Sequence, residues 1–138
     1  MRKTVLLLVV FALFLGAASL QAQMLTEDQA KSLVPMVEKA LQAYNAGDWK
    51  AFYTDFATMM AGIATEEAFK TLYVTNYMTN FGKYKSMTMI KEKSSLNDVA
   101  PLLMFAAEFE KGKATVGVNF TKEGDAYKLM QVQINKAE

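Results

Sequence analysis

Apolar residues recur at two different periods along this chain, and the period changes at Gly82. Upstream, Leu33, Val37, Ala40, Leu41 and Tyr44 stand at i, i+4, i+7, i+8 and i+11, the spacing of one face of a long helix. Thr26 followed three residues later by Gln29 forms a capping box at its start, and Gly47 supplies a left-handed stop. Pro35 removes a helical hydrogen bond and crowds the preceding turn, so the helix either kinks there or its regular part begins there. Asp48 caps a second, short helix with Phe52, Phe56 and Met59 on one face. Thr65 caps a third, opened by Glu66 and Glu67 and closed by Gly82, with Phe69, Leu72, Tyr73, Asn76 and Tyr77 along one side.

Downstream the period is two. Ala114, Val116, Val118 and Phe120 face one way, and Thr115, Gly117 and Asn119 face the other. Four strands are predicted, Tyr84 to Lys93, Leu102 to Glu110, Lys113 to Lys122 and Ala126 to Asn135. Asn97-Asp98, Lys111-Gly112 and Glu123-Gly124-Asp125 mark the turns between them, and short turns make the strands antiparallel. The fold class that follows is α+β, with three N-terminal helices packed on one face of a curved four-stranded antiparallel sheet. The second strand is apolar on both sides, Leu103, Phe105, Ala107 and Phe109 against Leu102, Met104 and Ala106. A loop or the chain terminus would cover the second side; alternatively a second copy would, which makes Leu102, Met104 and Ala106 candidate interface residues of a homodimer.

Residues 1 to 22 have a different pattern. Arg2 and Lys3 precede an apolar run from Val5 to Leu15 and a small-residue segment ending at Ala22, which is the layout of a secretory signal peptide. Cleavage is expected before Gln23, with Ala18 as the other site; Ser19 and Gln21 shorten the apolar run below the roughly 20 residues of a membrane anchor. The expected destination is the bacterial periplasm or the medium, with no membrane contact after cleavage. Residues 23–138 then form a single domain of one modest core.

Composition narrows the chemistry. Loss of Arg2 and Lys3 with the leader leaves 13 basic against 14 acidic residues, a formal charge of −1, and the charges alternate in sign, so no nucleic-acid partner is expected. The chain has neither His nor Cys. This removes Ser-His-Asp and Cys-His nucleophiles, nearly all zinc sites, disulfides and lipid attachment through cysteine. No nucleotide, zinc-protease or calcium motif is present, and no metal or other cofactor is expected. The Met pairs, such as Met87 and Met89, read as adaptable core filler in preference to a Cu(I) site.

Tyr44-Asn45-Ala46-Gly47-Asp48-Trp49, Phe52-Tyr53, Phe56, Thr65-Glu66 and Phe81-Gly82-Lys83-Tyr84-Lys85-Ser86 give the chain a resemblance to the nuclear transport factor 2-like superfamily. Within it, the chain is most similar to a bacterial exported domain family of unknown function. The resemblance implies a cone, three helices over a strongly curved sheet. That superfamily contains isomerases, hydrolases and noncatalytic binders, so the fold does not choose a function.

A pocket between helices and sheet would be lined by Trp49, Phe52, Tyr53, Phe56, Tyr73, Tyr77 and Phe105, suited to an apolar ligand with one or two polar groups. The bland alternative is that these aromatic residues are simply core. Asp55 neighbours the Phe52 and Phe56 stripe and is the candidate general base, should the cone be catalytic; Glu108 reads as a rim charge on the outer sheet face. The function expected is noncatalytic binding of a small apolar molecule or a protein partner. The alternatives are a small isomerase- or hydrolase-type enzyme using Asp55 and tyrosines, and a pure dimerisation module.

Overall fold

The computed structural model of the chain describes residues 23–138; the leader predicted at residues 1 to 22 lies outside them. The architecture is α+β, helices followed by a four-stranded antiparallel sheet. α1 spans Glu27–Ser32, α2 Val34–Ala46 and α3 Trp49–Tyr53. α4 is one continuous rod in three parts, α-helical over Glu66–Phe69, π-helical over Lys70–Met78 and α-helical again over Thr79–Phe81. β1 is Tyr84–Met89, β2 Leu102–Phe109, β3 Gly112–Glu123 and β4 Ala126–Lys136, in the spatial order β1-β2-β3-β4. Among the described residues no helix is long and apolar enough to cross a membrane.

The helix ends obey local chemistry. Thr26 and Gln29 close a reciprocal capping box on α1, Asp48 caps α3 through Ala51 N, and Thr65 caps α4 through Ala68 N. The first helix is broken at Leu33, so that Pro35 falls in the first turn of α2, where its missing N–H costs nothing. Gly47 ends α2 at φ 66°.

Two elements differ from expectation. The second helix stops at Tyr53, leaving Phe56 in a bridge beside β4 and Met59 in a 3₁₀ turn, exposed at 72%. The reason is competition for backbone groups. Leu129 N donates to Asp55 O at 2.8 Å and Ala57 N donates to Leu129 O at 2.8 Å, so the free edge of β4 takes the hydrogen bonds a longer helix would have used. β1 likewise ends at Met89 instead of Lys93, because the chain turns into a 3₁₀ segment at Lys91–Lys93.

The core lies between the helices and one sheet face. Val37, Leu41 and Tyr44 of α2 meet Leu103, Phe105 and Phe109 of β2 and Val116, Val118 and Phe120 of β3 in one buried cluster. The outer sheet face is covered only in part. Leu102 and Met104 are half-buried and Ala106 is exposed. The Met104 sulfur lies where a side chain at Gly117 would stand, 3.2 Å from an added Cβ, while Ile90 N donates to Met104 O and Met104 N donates to Ser94 Oγ. Met104 thus lies over Gly117 of the neighbouring strand, and its backbone is tied to the β1–β2 connection.

Candidate functional site

Edge pairing and a bulge open a cleft at one end of the molecule. Asn119 stands opposite Gln131 and Phe120 opposite Leu129, so Met130 is an extra residue with no opposite number, and β4 bends there. Immediately before the bulge, the Asp55 to Ala57 segment is sewn to the strand edge. Beyond it the chain leaves the sheet as a loop to Ala64, anchored where Thr58 N and Oγ1 donate to the Glu123 carboxylate at 2.6 and 2.9 Å. α4 then returns across the gap. Between the loop, the first half of α4 and the bulged part of β3 and β4 lies a cleft of about 1050 Å³.

Its walls are mostly apolar. Met60 and Ile63 come from the loop, Ala68, Leu72 and Tyr73 from α4, and Phe120 and Met130 from the sheet. Tyr53 and Phe56 add two rings in edge contact at 4.9 Å. Thr65, Thr71, Asn119, Thr121 and Gln131 supply neutral polar groups, and Glu67 is the one formally charged residue on the wall among the described residues. Ile63 is 62% and Leu72 36% exposed, so apolar side chains face this opening without being covered.

The π-helical stretch aligns one side of α4 with the core. Phe69, Tyr73, Tyr77 and Phe81 recur every four residues, and on an α-helix four residues overshoot the 3.6-residue turn by about 40° each time. In the wider i→i+5 winding four residues fall short of a turn instead, so a rod that mixes the two windings drifts in both senses. The four rings consequently form one file, with centroids 5.5, 5.4 and 6.2 Å apart, that runs on to Phe109 at 5.9 Å. Leu72 and Asn76, expected on the same side, are exposed instead. Leu72 is thereby turned to the cleft.

The residues singled out from sequence divide into two groups. Tyr53, Phe56 and Tyr73 line the cleft. Phe52 and Phe105 are core, both 1% exposed, while Trp49 and Tyr77 are half-buried and pack against the core away from the lining. Asp55 is not on the wall; its carboxylate lies 3.4 Å from Lys39 Nζ. The buried tyrosines have hydrogen-bond partners. Tyr73 Oη donates to Val132 O at 3.0 Å, Tyr44 Oη to Gly82 O at 2.7 Å and Tyr84 Oη to Glu38 Oε1 at 2.6 Å. Burial pushes the phenol pKa of each above its ordinary value, helped at Tyr44 by nearby Glu110 and at Tyr84 by Glu38. Burial raises Tyr53 as well, and none of the described residues hydrogen-bonds its hydroxyl. Sequence reasoning missed Met60, Ile63, Ala68 and Met130. The Met60-to-Ala64 stretch carries no periodic signal, and a bulge leaves no mark in a strand of alternating residues.

Among the described residues no group of three His, Cys, Asp or Glu side chains is placed to hold a metal ion. A second groove, of about 620 Å³, crosses the outer sheet face between Met104, Ala106, Glu108 and the C-terminal residues; it is more polar and includes Lys113 and Lys136. Comparison with protein-family models, curated proteins and solved structures finds no match, so the cleft has to be read from its own chemistry.

Proposed function

We propose that the chain is an exported, noncatalytic binding domain that takes a small apolar molecule in the cleft beneath the Thr58 to Ala64 loop. One observation carries the reading: an open space of about 1050 Å³, the upper end of the size range of small-molecule sites, with apolar walls and with Ile63 and Leu72 exposed at it. Five neutral polar side chains on those walls suit a ligand that carries a polar group on an apolar body. Catalysis through Asp55 is the weaker alternative, since that carboxylate faces Lys39 and not the cleft. Homodimerisation through Leu102, Met104 and Ala106 is weaker for a similar reason, because two of the three are half covered within one chain.

We further place the fold with the nuclear transport factor 2-like cones. What supports this is that two of the segments carrying the resemblance interlock. Tyr44 Oη donates to Gly82 O, Asn45 Nδ2 donates to Tyr84 O at 2.8 Å, and Tyr84 N donates to Asn45 Oδ1 at 2.7 Å. Export rests on the leader pattern of residues 1 to 22.

The test is titration of residues 23–138 with the neutral fluorescent probe N-phenyl-1-naphthylamine, beside a Leu72→Asp variant. Saturable binding that weakens at least about tenfold in the variant, with an unchanged melting temperature, is the expected result. Equal binding by both proteins would move the ligand elsewhere, and absence of binding would overturn the reading.

A further inference from the structure

We propose that the cleft selects cationic amphiphiles, molecules with an amine or ammonium head on an apolar body, and that Glu67 with the adjoining tyrosine rings sets this preference. The inference rests on the reading that the cleft binds an apolar molecule, and it specifies which kind.

The argument begins with the charges around the opening. Among the described residues its lining contains one carboxylate, Glu67, and no Lys or Arg. The nearest basic residue along α4, Lys70, lies 3.0 Å from Glu66, the neighbour of Glu67 that is not on the wall. A fatty acid or other anion entering here would therefore meet a carboxylate and no cation. The α4 N-terminus does not reverse this bias. Ala68 N is already engaged by Thr65 Oγ1, and two acidic residues occupy the first turn. Their charge answers the helix dipole before any ligand arrives.

The aromatic content points the same way. Tyr53, Phe56 and Tyr73 are among the lining residues, and aromatic rings attract ammonium groups through their negative faces, more strongly where water is reduced. A carboxylate at the rim with aromatic rings further in favours a cation at successive depths, while Met60, Ile63 and Met130 accommodate an alkyl or ring body. The outer groove carries both signs, Lys93, Lys113 and Lys136 beside Glu108 and Glu138, so its walls do not single out a cation.

The experiment displaces N-phenyl-1-naphthylamine from residues 23–138 with three ligands of one chain length, decyltrimethylammonium, decanol and decanoate, each below its micelle concentration and at low salt. The expected order is ammonium, then alcohol, then carboxylate, with about tenfold or more between first and last, as an ion pair near a surface allows. Glu67→Gln should bring the three within about threefold of one another. Glu67→Lys should invert the order, while Glu66→Gln should leave it in place. Equal affinities for all three in the wild type, or a preference for decanoate, would overturn the selectivity while leaving apolar binding intact. An ammonium preference that persists in Glu67→Lys would remove Glu67 from the account. Failure of the probe itself to bind would overturn the cleft reading on which the proposal stands.

Discussion

The two ends of the helix layer use the same kinds of residue and finish differently. At the end near Gly82, aromatic rings and polar anchors lock together: Tyr44 bonds Gly82, Asn45 bonds both backbone groups of Tyr84, Tyr84 bonds Glu38, and Phe109 packs edge-on against Tyr44 at 6.3 Å. At the far end, Tyr53, Phe56 and Tyr73 also pack ring against ring, yet a cleft of about 1050 Å³ remains beside them. What differs is the use of the backbone. Near Gly82 the chain passes straight from α4 into β1, and Tyr44 and Asn45 bond the backbone of that passage. At the cleft, the Asp55 to Ala57 segment bonds β4 at Leu129 and then swings outward in a loop, while the bulge at Met130 bends the strand. Aromatic content therefore does not decide whether a site is open. The course of the chain does.

Substituting glycine at the two ends gives the largest contrast. Gly82 has φ 73° and ψ −159°, a region open essentially to glycine alone, and an added Cβ would stand 2.8 Å from Glu110 Cβ. Gly82→Ala should cost about 3 kcal/mol in urea unfolding. Gly62, on the cleft loop, has nothing within 4 Å of an added Cβ, and Gly62→Ala should stay within about 0.5 kcal/mol. Similar losses at both positions would erase the distinction drawn between the ends.

Tyr44→Phe should cost about 1–3 kcal/mol, since it leaves the Gly82 carbonyl buried without its donor. A loss below about 0.5 kcal/mol would mean that the hydrogen bond does not hold that end closed.

Alkaline titration sharpens the comparison further. The phenols of Tyr44, Tyr73 and Tyr84 are raised above the ordinary value of 10.0, chiefly by burial. The unfolded chain then releases these protons first, so their stabilising contribution is complete below about pH 10 and is lost as pH rises past it. The urea midpoint should hold steady from neutral pH to about pH 9 and fall above about pH 10, less steeply in Tyr44→Phe. A midpoint independent of pH up to about 11 would contradict the burial of these hydroxyls.

Much of the fold was legible in the sequence. Thr26, Asp48 and Thr65 act as caps, Gly47 and Gly82 end helices, and the alternation through β3 puts Val116, Val118 and Phe120 inside. These features follow from local periods and caps, which a sequence carries. The cleft was legible only in Tyr53, Phe56 and Tyr73. Its other walls depend on nonlocal events: the docking of residues 55–57 on the β4 edge, the bulge at Met130, and the π-helical winding that turns Leu72 outward. Asp55 illustrates the same limit. Its spacing from Phe52 and Phe56 suggested an inward carboxylate, but the helix ends before it and the side chain goes to Lys39.

The central claim, that the cleft and not the outer sheet groove receives an apolar ligand, is tested most directly by methyl NMR of residues 23–138 labelled at Met and Ile. On addition of N-phenyl-1-naphthylamine, the methyl signals of Met60, Ile63 and Met130 should shift in a saturable way while those of Met87 and Met104 stay in place. Shifts confined to Met87 and Met104, or no shifts at all, would contradict it.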